Sequence, residues 1–242
     1  RNDGKGGFQE IAKEVNLTYP AEPMGANFGD LNNDGYLDFY LATGDAWYSE
    51  LRPNVMFLNQ EGKKFVNVTM AGGFGHLQKG HGVSFADIDN DGDQDVYVQM
   101  GGAFPGDRFN DALFENPGFG NHWITIKLEG RQSNRSAIGA RIHARILEEG
   151  VERSVYRHVN SGGSFGCNPL RQTVGLGNAA RLLRLEIFWP TTGKTQVFEN
   201  VAMDQAIGIV EGDDRITVIE LKTYKLGSPQ ANRHHSHDHS ND

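Results

Sequence analysis

The sequence predicts an all-β chain: an incomplete β-propeller of two blades, followed by a β-sandwich-like domain. Three observations carry that prediction. A block of sequence recurs at an offset of 57 residues, which separates Asn2 from Asn59 and Asn59 from Asn116, and likewise Phe8 from Phe65, Gly25 from Gly82, Gly44 from Gly101 and Phe57 from Phe114. Each copy carries an acidic loop centred on glycine that runs into a short β-branched and aromatic stretch, "FYLATG" after Asp38 and "VYVQMGG" after Asp95. From His122 onward the repeat gives way to strict alternation of apolar and polar residues. A repeat of that length built from short strands and turn glycines has the form of a propeller blade, and alternation marks strands with one buried face.

The opening segment "FQEIAKEVNL" sets Phe8, Ile11, Ala12 and Val15 at helical spacing, but its repeat "FVNVTMAGGF" does not keep the spacing, which argues against a helix. Residues 1 to 118 then hold the two repeats, the first of them truncated, because Met56-Phe57 and Leu113-Phe114 have no counterpart before Arg1. The expectation is a chain that continues upstream, with the open sheet edge covered either by further blades there or by the second domain. Residues 119 to 226 form the second domain. "WITIKL" places Ile124, Ile126 and Leu128 on one face, and "IGARIHARIL" places Ile138, Ala140, Ile142, Ala144 and Ile146 opposite Arg141, His143 and Arg145. "LLRLEIFWP" reads as a strand ended by Pro190, "TTGK" as the turn into "TQVFENV", and "AIGIVEG" and "ITVIEL" complete about seven strands. Residues 227 to 242 have no apolar content to pack and are expected to be disordered. Their histidines 234, 235, 237 and 239 offer weak transition-metal ligands at most.

Composition narrows the function. The 242 residues include 31 glycines and a single cysteine, Cys167, so no intramolecular disulfide holds the fold. A net charge of −8 disfavours a general nucleic-acid surface, and no apolar run has the length of a membrane span.

The loops themselves point to a cation. In "DLNNDGYLD" hard oxygens fall at positions 1, 3, 5 and 9 as Asp30, Asn32, Asp34 and Asp38, with a glycine at position 6 and the carbonyl of Tyr36 at position 7. "DIDNDGDQD" repeats this with Asp87, Asp89, Asp91, the carbonyl of Asp93, and Asp95. Carboxylates so close repel unless a cation intervenes, and this donor set with this spacing suits calcium. Two calcium sites of structural role are expected. Position 12 is Leu41 or Val98 and no helix pattern flanks either loop, so these are not EF-hands.

"NSGGSFGCNPLRQTVGLG" is the densest stretch of the second domain. Its Asn160, Ser161, Ser164, Asn168 and Arg171 could cradle a sugar or an anion, or the glycines could simply serve a tight bend. No phosphate-loop or G-x-S-x-G pattern completes it, and Cys167 reads as a small, partly buried side chain more readily than as a nucleophile. Arg141, His143 and Arg145, with Arg153 and Arg157 on the next segment, suggest a cationic strip facing either an acidic polysaccharide or the acidic repeats.

"NFGDLNNDGYLDFYLATG" and "SFADIDNDGDQDVYVQMGG" resemble the FG-GAP or VCBS repeat, a calcium-binding propeller blade. "NHWITIKLEG", "AIGARI", "VNSGGSFGCNPLRQTVGLG" and "LEIFWPTTGKTQ" resemble the ASPIC/UnbV domain that follows such repeats in the cartilage acidic protein family and its bacterial relatives. The resemblance implies a secreted, cell-surface or periplasmic protein that binds calcium structurally and takes a glycan or an extracellular protein as partner. A non-catalytic adhesion or binding module is the first expectation. An enzyme or enzyme accessory with a site near Asn160 to Arg171 is the second, and a calcium-rigidified structural domain the third.

Overall fold

The computed structural model describes residues 1–227 except 45, 46, 48–50, 103–105, 107, 108, 161 and 164. Ser161, Ser164 and the histidine-rich tail from residue 228 onward therefore lie outside the described residues. Within them the chain is all β, with no helix and four small sheets.

The first two sheets are the blades. One runs β1 (Pro23–Gly29), β2 (Asp38–Thr43), β3 (Val55–Gln60), β4 (Lys64–Asn67), and the other β5 (Gly80–Ala86), β6 (Asp95–Met100), β7 (Ala112–Phe114), each an antiparallel meander. The 57-residue offset holds for strand bounds: Pro23–Gly29 maps onto Gly80–Ala86 and Asp38–Thr43 onto Asp95–Met100. It also holds for pairing. Asn59 pairs Phe65 between β3 and β4, and an isolated bridge joins Asn2 to Phe8. The helical spacing after Phe8 yields only a turn, in which the Val15 N–H reaches the Ile11 carbonyl at 3.1 Å.

The blades stack through their facing sides. Tyr40, Ala42 and Met56 of the first blade meet Val83, Phe85, Val96 and Val98 of the second, all 0% exposed. Burying each such large side chain contributes about 1.5–3 kcal/mol. On the far side of the first blade, Phe39 stacks on Phe57 at 4.9 Å and meets Phe65 edge-on at 5.2 Å.

The remaining eight strands form a sandwich. One sheet is ordered β10 (Val151–His158), β9 (Arg141–Glu148), β12 (Ala179–Phe188), β13 (Thr195–Glu199). The other is ordered β11 (Gln172–Gly177), β8 (His122–Glu129), β14 (Gln205–Val210), β15 (Ile216–Ile219), with β14 parallel to β8. Ile124, Ile126 and Ile207 from one sheet and Ile142, Ile146, Leu185 and Ile187 from the other fill a single core around the fully buried Trp189.

Three details differ from the sequence reading. Ile138 precedes β9 and is 37% exposed, because Asn134 side-chain and backbone bonds fold residues 134–138 into a turn. β11 is an eighth strand hidden in the glycine-rich stretch. Arg153 and Arg157 do not share a face with Arg141, His143 and Arg145: in β10 they register with Ile146 and Ile142, which face the core, so the single cationic strip does not form.

Candidate functional site

The two acidic loops, residues 30–38 between β1 and β2 and residues 87–95 between β5 and β6, share one backbone. Asn33 and Asn90 take φ of 55° and 61°, and Gly35 and Gly92 take 91° and 99°. The ninth position is structural in both. The carboxylate of Asp38 accepts the Leu31 N–H at 2.8 Å and the Asn59 N–H at 2.7 Å, and that of Asp95 accepts Ile88 at 3.0 Å and Asn116 at 2.8 Å. Asp38 thus fastens its loop to the third strand of its blade, and Asp95 fastens its loop to the segment just past the third strand of the other.

The loops differ at their open ends. In the second, carboxylate oxygens of Asp87, Asp89 and Asp91 lie within 4.8 Å of one another. Both oxygens of Asp87 and Oδ1 of Asp89 are shielded from solvent without a hydrogen-bond partner, in residues only 6% and 7% exposed. Buried acceptors left unpaired cost about 1–3 kcal/mol each, more when charged. Burial raises the pKa of both, and raises Asp93 and Asp95 to about 6, with neighbouring carboxylates adding to the effect. A divalent cation among these oxygens would remove both penalties, so the residues present fit calcium.

In the first loop a protein cation is already in place. Arg157, from β10 of the sandwich, donates through Nη2 to Asp30 Oδ2 at 2.6 Å and through Nη1 to the Gly35 carbonyl at 3.2 Å. The pair is buried, with side chains 7% and 0% exposed. Asn32 turns its amide to Asp34 Oδ2 at 3.0 Å, and Asp30 Oδ1 remains shielded without a partner. Burial lifts Asp30 to about 6 even against the guanidinium, and lifts Asp38 to about 8 against its two N–H donors. Among the described residues, three carboxylates converge only in the second loop.

Both loops lie in the interface between blades and sandwich. The Gly177 N–H bonds the Asn33 carbonyl at 2.8 Å, and Asn121 Nδ2 bonds the Asn32 carbonyl at 2.8 Å. Asn33 Nδ2 links the loops by donating to the Gly92 carbonyl and to Asp93 Oδ1. Gly92 is pressed against Trp123, where a Cβ would come within 1.9 Å of the indole. Arg171 reaches Asn90 Oδ1 at 3.1 Å, and the Tyr224 N–H bonds the Asp89 carbonyl at 3.1 Å.

The glycine-rich stretch is drawn across the inner strands of the blades. Asn168 Oδ1 accepts both the Phe85 N–H and Asn27 Nδ2 at 2.9 Å, and its Nδ2 donates to the Phe28 carbonyl at 2.6 Å. The Val83 N–H bonds the Phe165 carbonyl at 3.0 Å, and Gly166 sits so close that a Cβ would meet the Val83 oxygen at 2.1 Å. Asn160 Oδ1 accepts the Gly162 N–H. Cys167 is exposed, not partly buried as its composition suggested. A cleft of about 410 Å³ opens where this stretch, β10 and the first blade meet, with Arg141, Tyr156, Arg157, His158 and Arg171 among its walls.

Sequence reasoning missed the partners that distance in the chain conceals. Arg157 on Asp30, Gln94 Oε1 on the Asp30 N–H at 2.7 Å, and Trp123 on Gly92 leave no local signal. Asn59 and Asn116 were visible as repeat positions without a role. On the outer face of the sandwich, Ser154 Oγ lies 2.9 Å from His143 Nε2, and His143 Nδ1 lies 2.7 Å from Glu186. The connectivity is that of a nucleophile relay, and it lies on a sheet in which the strand of His143 is paired on both sides.

Two stacked blades whose acidic loops seat a β-sandwich define the class of protein. Residues 43–98 match an FG-GAP-like repeat and residues 130–216 match the family described as ASPIC and UnbV. The chain therefore joins FG-GAP-like propeller blades to an ASPIC and UnbV domain, a pairing that points to a binding or structural module. A search of curated proteins finds no match to it. Among the described residues no helix is long and apolar enough to cross a membrane.

Proposed function

We propose that this chain is a non-catalytic binding module of the cell exterior or periplasm, in which calcium stiffens the junction between blades and sandwich and a glycan or protein is the ligand. The observation that supports it is the set of unpaired, shielded oxygens of Asp87 and Asp89 beside Asp91. Asp87, Asp89, Asp91 and the Asp93 carbonyl would hold the ion, with Asp95 bracing the loop from behind. The first loop offers fewer free oxygens and already holds Arg157, so it is the weaker of the two sites. Affinity on the order of 10⁻⁴ to 10⁻³ M suits an extracellular calcium supply. An adhesion role, and further blades of the same polypeptide, belong to the same proposal.

Trp123 supplies the test, since its indole touches Gly92 inside the second loop. Terbium added to the full chain should emit on indole excitation, calcium should quench that emission by competition, and Asp87→Asn or Trp123→Phe should remove most of it. Emission that survives Asp87→Asn would place the metal elsewhere and end the proposal for this loop.

A further inference from the structure

The cleft at the junction has a composition at odds with the rest of the chain. The protein carries 31 Asp and Glu against 23 Lys and Arg, yet among the described residues no carboxylate lines the cleft, while three arginines and a histidine do. Arg157 is neutralised by Asp30, and Arg171 is held by neutral acceptors, Asn90 Oδ1 and the Asp87 carbonyl. Arg141 makes no ion pair among the described residues, and its guanidinium is held 4.1 Å over the Phe188 ring. Arg141 is an exposed cation at the rim of the cleft that rests on a ring and not on a carboxylate.

Beside it stands a flat apolar surface. The Tyr156 ring is stacked on His143 at 4.4 Å and 10°, so its inner face is fixed while the side chain remains 63% exposed. Phe28, 54% exposed, lines the same cleft from the blade side. Exposed aromatic rings held rigid by neighbours are suited to the C–H face of a pyranose, and a volume of about 410 Å³ falls in the range that holds a small ligand. A planar guanidinium pairs best with a planar carboxylate.

We propose that this cleft binds an acidic saccharide, with a uronate carboxylate on Arg141 and a sugar ring on Tyr156. The inference deepens the binding-module reading and rests on it. Arg141 and Tyr156 would act as specificity determinants, and the Arg157–Asp30 pair beneath them as the support that keeps β10 against the blade.

The test is calorimetric titration of the full chain in calcium with trisaccharides of galacturonate, glucuronate and mannuronate. The methyl ester of each, a sulfated disaccharide and tri-glutamate serve as comparisons. At least one uronate should bind, its methyl ester roughly 10–100-fold more weakly, as expected when a charge-assisted bond is lost. Arg141→Gln should erase that difference, and Tyr156→Ala should weaken binding several-fold, with both variants melting as the parent does. Equal binding of the ester, of tri-glutamate or of the sulfated sugar would overturn the assignment, as would binding unchanged in Arg141→Gln. If no uronate binds while terbium still reports Asp87, the cleft assignment falls and the calcium-module reading stands. Loss of both signals removes both.

Discussion

Replacing Arg157 by methionine keeps an unbranched apolar stem and removes the guanidinium with its charge. Asp30, 0% exposed and 2.6 Å from Nη2, is then left as a buried carboxylate whose remaining donor is the Gly35 N–H at 2.9 Å. Its pKa, already about 6 through burial with the guanidinium present, rises further without it. Breaking a buried pair in this way costs about 3–5 kcal/mol. In a domain of this size that corresponds to a fall in Tm of roughly 6–20 °C. Urea unfolding in EDTA should show the loss, with indole fluorescence reporting the interface through Trp123 and the sandwich core through Trp189. Asp30→Asn combined with Arg157→Met removes both charges and should recover much of the loss, so the pair is measured by the double-mutant cycle. A single substitution costing less than about 1 kcal/mol, or a double variant no better than the sum of the singles, would refute the assignment of Arg157 as the internal cation of the first loop.

Three further outcomes follow from the geometry. Glu211 accepts N–H bonds from Arg131, Gln132 and Ser133 at 2.7–2.8 Å. Burial raises its pKa, but these donors and the Ser133 hydroxyl outweigh it and hold the group at about 2. Its contribution is therefore complete above the unfolded value near 4.3 and fades as pH falls toward 2; Glu211→Gln should cost roughly 1–3 kcal/mol at pH 7 and flatten the acid limb of a urea-midpoint profile. Asn168→Ala removes three bonds that tie the glycine-rich stretch to both inner strands, and should destabilise by about 1–3 kcal/mol with faster hydrogen exchange at the Phe85 amide. Gly92→Ala meets the Trp123 ring at 1.9 Å with φ at +99°, so it should redden the indole emission and weaken terbium sensitisation while leaving the core around Trp189 intact.

Much of this architecture was legible in the chain because one offset organised it. A 57-residue spacing placed β1 on β5 and β2 on β6 to the residue, and it marked Asn59 and Asn116, whose N–H groups meet the Asp38 and Asp95 carboxylates. Alternation likewise put Ile142, Ala144 and Ile146 in the core. What stayed hidden depends on what covers each face. Arg157 occupies an apolar-side position of edge strand β10, and only the blade's first loop lying over that edge makes a buried arginine affordable there. β11 was masked by Gly175 and Gly177, which read as loop residues yet are small because Asn33 and Asp30 approach the first and Glu148 the second. The two acidic loops share their Asp, Asn-Asp-Gly and Asp positions in sequence but carry Asn32 against Asp89 and Tyr36 against Asp93, which leaves the first with fewer carboxylates, and Arg157 reaches that first loop from more than a hundred residues away.

The most direct test of the calcium-stiffened junction is a melt of the full chain in EDTA and in calcium, for the parent and for Asp87→Asn. At a calcium concentration 100-fold above Kd, binding adds about 2.7 kcal/mol, which should appear as a rise of several degrees in the parent and a much smaller one in Asp87→Asn. Identical midpoints with and without calcium in the parent, or an equal rise in both proteins, would contradict a cation held by Asp87, Asp89 and Asp91.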